Sequence, residues 1–349
     1  MNASHLPLRL TVDGEALVAN WRWLAAQGGS AACGAAVKAN GYGLGAAEVA
    51  KRLVAAGCRD FFVATWAEAE ALLPVLDADI GLSVLHGLSG EDLPIAAASQ
   101  ARPVLNTPRQ VQLWREGGAG RPCDVMIDTG MNRLGLAAAD VAAGLLDGLE
   151  VDVAMSHLAC ADEDVPMNAG QRAAFAAIAP RTGARRHSLA NSAGICLGRD
   201  YGFDLTRPGL ALYGGVPRPE AEGSIRPVVR VEARIVQRRS IAAGDSVGYN
   251  ATFVAGRPME LAILNIGYAD GYLRGFSGRG HASLGEADLP VVGRISMDLT
   301  AVDVGAAPAL REGDWVELDY RLPAAAAQSG LSQYELLTML GSRHRRAWR

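Results

Sequence analysis

Between Ala32 and Gly215 the chain alternates short apolar or β-branched runs with stretches rich in Ala, Leu and Glu, and this rhythm restricts the fold more than any other feature. It reads as successive βα units. Candidate strands end at Lys38, Ala64, His86, Asn106, Asp128, His157, Ala190 and Leu212, with helices between them such as 45–57 and 66–76. Eight parallel strands can close into a (β/α)8 barrel, where chemistry gathers at the C-terminal ends of the strands. The 349 residues, 50% hydrophobic and 20% charged, supply enough apolar material for such a core. A small disulfide- or metal-held scaffold and general disorder are excluded.

After about Gly223 the texture changes to alternating stretches at 228–240, 245–254, 259–267, 289–304 and 314–320, punctuated by Gly-Asp, Asp-Gly and Gly-Arg turns. A helical pattern returns only at 331–340, and the alanine-rich 323–327 reads as a loop or a helix start. The fold class expected is therefore α/β: an N-terminal (β/α)8 TIM barrel over residues 1–225, then a mostly-β domain over 226–349. Lys and Arg number 33 against 37 Asp and Glu, a net charge of 33 − 37 = −4, and the one basic cluster is Arg343, His344, Arg345, Arg346 and Arg349. That balance predicts neither a nucleic-acid nor a membrane partner. Cys33, Cys58, Cys123, Cys160 and Cys196 are scattered singly, which predicts reduced thiols, no disulfide framework and no metal site. No signal-like N-terminus and no run of about 18 apolar residues is present, so a cytoplasmic protein is expected.

The strongest local feature is Ala35-Ala36-Val37-Lys38-Ala39-Asn40-Gly41-Tyr42-Gly43-Leu44-Gly45, an apolar strand that ends in a lysine before a glycine-rich loop opens a helix. Apolar surroundings disfavour the ammonium form, so a lysine there is available as nucleophile or base, as an aldehyde cofactor requires. An ordinary strand-end lysine is the other reading. Asp128-Thr129-Gly130-Met131-Asn132-Arg133 puts a guanidinium in a post-strand loop, and Ser156-His157 closes another strand; each is also explicable as surface or core. Asn191-Ser192-Ala193-Gly194 opens a short helix, as an anion site or simply as an N-cap. Arg207-Pro208-Gly209-Leu210 adds a second strand-proximal arginine and a small-residue turn; together these two turns suit a phosphate pocket after strands seven and eight. In the second domain, Gly248-Tyr249-Asn250, Gly267-Tyr268-Ala269-Asp270-Gly271-Tyr272 and Arg294-Ile295-Ser296-Met297-Asp298 carry the polar and aromatic candidates.

AVKANGYGLG, IDTGMNRLGL, SHLACAD, LANSAG, RPGLALYG, VGYNATF, GYADGY and VGRISMD, in this order and spacing, resemble one family over nearly the whole chain, alanine racemase. The resemblance implies a pyridoxal 5′-phosphate enzyme that interconverts L- and D-alanine and supplies D-alanine for peptidoglycan. It also implies a head-to-tail homodimer with shared active sites. By this similarity Lys38 holds the cofactor as an aldimine and is the base on one face of the substrate Cα, while Tyr249 of the other subunit serves the opposite face. Racemisation needs a proton removed from one side and returned from the other, which one base does poorly. The resemblance further puts Arg207 on the pyridine nitrogen, Tyr42, Asn191, Ser192, Gly209 and Leu210 at the phosphate, and His157 beside the ring. It gives Arg133 to the phenolic oxygen and the substrate, with Tyr268, Met297 and Asp298 as further substrate contacts.

Three positions depart from the family pattern. Met126 stands where many relatives carry a carbamylated lysine that orients the arginine corresponding to Arg133. Asn250 follows the tyrosine where glycine is common, a substitution that asparagine's tolerance of positive φ makes acceptable. No tyrosine follows Tyr334, which leaves Ser342 or Trp348 for the site mouth and keeps a serine or broader-specificity racemase as an alternative. A pyridoxal-phosphate-binding protein without turnover is the other alternative, disfavoured by the second domain. A basic-amino-acid decarboxylase is disfavoured by Arg207, because those enzymes oppose the nitrogen with a carboxylate.

Overall fold

The computed structural model describes residues 6–349. The chain divides into two compact units: Leu17–Arg226, and Pro227–Arg349 together with the segment before residue 17.

In the first unit seven parallel strands lie side by side in chain order: Ala35–Ala36, Asp60–Val63, Gly81–Val84, Arg102–Leu105, Cys123–Met126, Val151–Met155 and Arg186–Ser188. Leu205–Thr206 joins the two edges. It pairs in parallel with Ala32–Cys33, while the Arg207 N–H donates to the Ala190 carbonyl and the Asp204 N–H to that of His187. The first strand is thus in two pieces, Ala32–Cys33 and Ala35–Ala36, divided at Gly34, where a Cβ would meet the Asp60 carbonyl oxygen at 2.8 Å and the Phe62 ring at 2.9 Å. Runs such as Phe61, Phe62 and Val63 are buried throughout, as strands covered on both faces must be. The helices Trp66–Leu72 and Pro108–Gly117 start where Thr65 and Thr107 accept backbone N–H groups from Glu68 and Gln110.

Strand ends fall within two residues of the sequence expectation except for the last. The rhythm predicts an eighth strand ending at Leu212; it ends at Thr206, and Leu210–Tyr213 is a 3-10 turn. Pro208 lacks an N–H and Gly209 takes φ −130°, ψ −84°, which no strand continues.

At the opposite, N-terminal ends of these strands the barrel closes on charge. Arg186 grips Asp60 through two bonds of 2.8 and 2.9 Å and reaches Asp152 at 3.0 Å. Arg102 pairs with Asp124 and with Asp152, both at 3.1 Å, and the Ser83 hydroxyl donates to Asp124 at 2.6 Å.

The second unit is an eight-stranded sheet in the order Met259–Leu264, Thr300–Asp303, Ala287–Val292, His281–Leu284, Trp315–Leu318, Val229–Ile241, Leu8–Val12, His344–Trp348. Val229–Ile241 also pairs with Met259–Leu264, and a register shift between Ile235 and Gln237 lets the long strand serve both partners. The strand Leu8–Val12, which the sequence-based division groups with the barrel, joins this sheet. The stretch 289–304 is two strands rather than one, and 323–327 lies inside the helix Leu322–Ser329. Among the described residues no helix is long and apolar enough to cross a membrane.

Candidate active site

Lys38 stands at the C-terminal end of the first barrel strand, half-buried, just after Val37 donates its N–H to the Phe62 carbonyl. The backbone then makes a left-handed turn: Ala39, Asn40, Gly41 and Tyr42 have φ of 53°, 53°, 63° and 55°. Side-chain-bearing residues there cost about 1–2 kcal/mol each, so surrounding bonds must hold them. Gly41 and Gly43 donate to the Val37 and Ala39 carbonyls at 2.7 and 2.8 Å, and Ala46 donates to Asn40 Oδ1 at 3.0 Å. The Ala39 N–H goes to Glu68. Burial lowers the Lys38 pKa, the charges of Arg133 and Arg207 lower it further, and Glu68 opposes them.

Beside this strand the chain gathers hydrogen-bond donors around a missing side chain. The Ser192 hydroxyl accepts from the Gly209 N–H at 2.9 Å and the Ala211 N–H at 3.2 Å. A Cβ at Gly209 would overlap the Tyr42 phenol oxygen and stand 2.9 Å from its ring. Tyr42 is stacked on Tyr213 at 4.6 Å, and the Tyr213 hydroxyl donates to the Ala36 carbonyl at 2.8 Å. The Tyr42 and Ser192 hydroxyls, brought together by a backbone that only glycine lets the Tyr42 phenol approach, and with no carboxylate among them, fit a phosphate. Asn191, open between cap and anion ligand in the sequence, caps the helix Ser192–Cys196 by accepting from the Gly194 N–H at 2.8 Å.

Arg207 is buried inside the barrel and donates to Ser188 Oγ and, at 2.6 Å, to the Ser156 carbonyl. Burial lowers its pKa to about 10 against the pull of Asp124, so it remains a cation at neutral pH. His157 is pushed down to about 3 by burial and by the positive charges of Arg207, Arg133 and Lys38, which leaves the ring neutral.

Arg133 is exposed and, among the described residues, its guanidinium has no hydrogen bond or ion pair, yet its charge acts on both Lys38 and His157. Its loop is shaped by Asp128, a strand end in the sequence, and by Gln171, which lies outside the motifs. One Asp128 carboxylate accepts the N–H groups of Gly130 at 2.9 Å, Met131 at 3.0 Å and Asn132 at 3.1 Å. Gln171 donates to Thr129 at 3.3 Å and to the His157 carbonyl at 3.0 Å, tying this loop to the next. Met126 is buried in its strand and contributes no charge.

Within the second unit Tyr249, Tyr268, Met297 and Asp298 come from three adjoining segments. Gly293 approaches Val247 so closely that a Cβ would meet its carbonyl oxygen at 2.6 Å, which sets the Gly248-Tyr249 turn against Gly293-Arg294. Tyr249 is 68% exposed, and Asn250 takes the positive φ, 62°, expected of it. The Tyr268 and Ala269 N–H groups donate to the Ser296 and Met297 carbonyls at 3.1 and 3.0 Å. Arg343 bridges Asp298 at 2.8 Å and the buried Asp270 at 2.7 Å. Trp348 lies in the terminal strand opposite Val12, with Ser342 in the turn before it.

Residues 12–217 match the family described as alanine racemase, N-terminal domain, and residues 228–348 that described as alanine racemase, C-terminal domain. The chain is 46% identical to an alanine racemase of Acidiphilium cryptum over 97% of both chains, and 46% identical to one of Methylobacterium nodulans over 97% of this chain and 95% of that one. A crystal structure of alanine racemase from Bartonella henselae with covalently bound pyridoxal phosphate is 37% identical, with a TM-score of 0.91 over 98% of this chain and 99% of that one.

Proposed function

The chain belongs to the alanine racemase family, and from that premise we propose that it interconverts L- and D-alanine with Lys38 and Tyr249 as bases on opposite faces of the substrate Cα. It is a pyridoxal 5′-phosphate enzyme. The observation that carries the reading is the convergence, at one end of the barrel, of a lysine with a lowered pKa, a buried arginine and the Tyr42 and Ser192 hydroxyls beside Gly209. When bound, the cofactor supplies the electron-withdrawing group that makes the amino acid's Cα proton acidic.

The protein's own residues do the rest. Lys38 Nζ holds the cofactor and takes or returns the proton on its face; Tyr249 Oη serves the other. Tyr42, Ser192 and the backbone at Gly209 and Leu210 hold the phosphate, next to the Asn191 cap. Arg207 offers donors only and keeps its proton, so a ring nitrogen set against it accepts and stays unprotonated. That weakens electron withdrawal and favours proton exchange over transamination or decarboxylation. Neutral His157 packs beside the ring without adding charge. Arg133 meets the phenolic oxygen and the substrate, and Tyr268, Met297 and Asp298 complete the substrate side.

A homodimer with shared sites follows from the same reading, because Tyr249 is exposed in its own chain and a base needs a covered setting. The cytoplasm, where D-alanine enters peptidoglycan synthesis, is the proposed location. The test is a chiral assay of L-alanine and L-serine, separately, in D₂O with added pyridoxal phosphate, following enantiomer formation and Cα deuteration. Rapid alanine racemisation with deuterium at Cα is expected. Faster serine turnover would move the assignment to a serine racemase, and no exchange with either would leave a cofactor-binding protein.

A further inference from the structure

One carboxylate holds the lysine's turn from outside. Glu68 Oε1 accepts the Ala39 N–H and Oε2 the Ala64 N–H, each at 2.7 Å, so the residue after Lys38 is joined to the residue after the neighbouring strand. A glutamate three residues after an N-cap threonine ordinarily serves its own helix end. Here Thr65 accepts the Glu68 N–H, while the two carboxylate oxygens go to the Ala64 N–H before the helix and to the lysine loop. Ala39, at φ 53°, bears the cost of the left-handed region that Asn40 tolerates better, so an acceptor fixed on the neighbouring helix helps to hold it there. Of the charges that act on Lys38, those of Arg133 and Arg207 are positive and that of Glu68 is negative.

We propose that Glu68 is a positioning residue for Lys38: by bridging Ala39 and Ala64 it fixes the left-handed turn that carries the lysine, and its carboxylate is the anion bonded to that turn. The proposal rests on Lys38 as the cofactor lysine. Lys38→Ala tests that separately, through complete loss of the absorbance of the cofactor–lysine linkage.

The experiment compares Glu68→Gln, Glu68→Ala and Glu68→Asp in the holoenzyme, measuring kcat and KM for alanine and the pH midpoint of the linkage absorbance. Glutamine keeps one acceptor but sets an NH₂ against the other N–H and removes the charge. Aspartate keeps the charge on a shorter arm. Misplacing a reacting group by about 1 Å costs up to about 100-fold in rate. Glutamine is expected to lower kcat about 10-fold and alanine further, with KM within about twofold and the absorbance midpoint moved to lower pH. Aspartate is expected to lower kcat with little movement of the midpoint. Wild-type kcat and midpoint in both Glu68→Gln and Glu68→Ala would overturn the proposal. A loss that follows only the unfolded fraction by circular dichroism, with the midpoint unmoved, would make Glu68 merely structural. If Glu68→Ala does not fold, the glutamine and aspartate variants decide.

Discussion

Gly209 shows how little separates a phosphate cradle from a packed wall. The Tyr42 phenol oxygen lies where its Cβ would be, and the Ser192 hydroxyl accepts the Gly209 N–H. Gly209→Ala puts a methyl where the Tyr42 phenol lies, and Tyr42, stacked on Tyr213, has little room to move aside. Pyridoxal phosphate affinity is expected to fall at least about 10-fold, read by fluorescence titration of cofactor-free protein, with the fold unchanged by circular dichroism. Unchanged affinity would remove the cradle from the site. His157 makes another residue-scale prediction. Its folded pKa of about 3 lies below the usual 6.5, so between these values the unfolded chain binds the extra proton. Its contribution to stability is therefore complete above about pH 6.5 and is lost as the pH falls toward 3. The urea midpoint of His157→Gln should fall less between pH 7 and pH 4.5 than that of the wild type, and equal falls would refute the assignment.

Strands and helices were legible in the sequence wherever local pattern decides them. The βα rhythm marked seven strand ends within two residues, because a strand buried on both faces is a plain apolar run. The ties between elements were not legible. Glu68 is the clear case, since nothing in the sequence says that its carboxylate will meet the Ala39 N–H, 29 residues away. The strands Leu8–Val12 and His344–Trp348 were invisible because each is completed by a partner at the far end of the chain, and His344–Trp348, the edge of the sheet, has the composition of a basic tail. The charged plug at the strand starts was hidden in the same way. Asp124 is fully buried and accepts from Ser83, Arg102 and the Val153 N–H, so it holds three elements at once. Asp124→Asn leaves Arg102 without one of its two anions in a buried setting and is expected to cost roughly 2–3 kcal/mol by urea unfolding. A change under about 0.5 kcal/mol would mean that Asp152 alone balances Arg102.

At the scale of the whole molecule the division of labour between units makes a sharper demand. Lys38, Arg207 and the phosphate cradle belong to the unit Leu17–Arg226, while Tyr249, Tyr268 and Met297 belong to the other. Tyr249 and Met297, at 68% and 53% exposure, are large side chains turned to solvent in a single chain. If each active site takes Lys38 from one subunit and Tyr249 from its partner, a subunit lacking one base still donates the other. Lys38→Ala alone should be inactive, and Tyr249→Phe alone should keep the cofactor linkage but lose racemisation in both directions, since each direction uses both bases. Mixing equal amounts of the two, with dissociation and reassociation, gives half of the dimers one chain of each kind. In those, one site lacks both bases and the other has both, so activity should recover to about a quarter of wild type. The recovery should appear with the time course of subunit exchange. No recovery after verified exchange would place both bases in one chain and end the shared-site reading, while activity in Tyr249→Phe equal to wild type would remove Tyr249 as a base before any mixing is done.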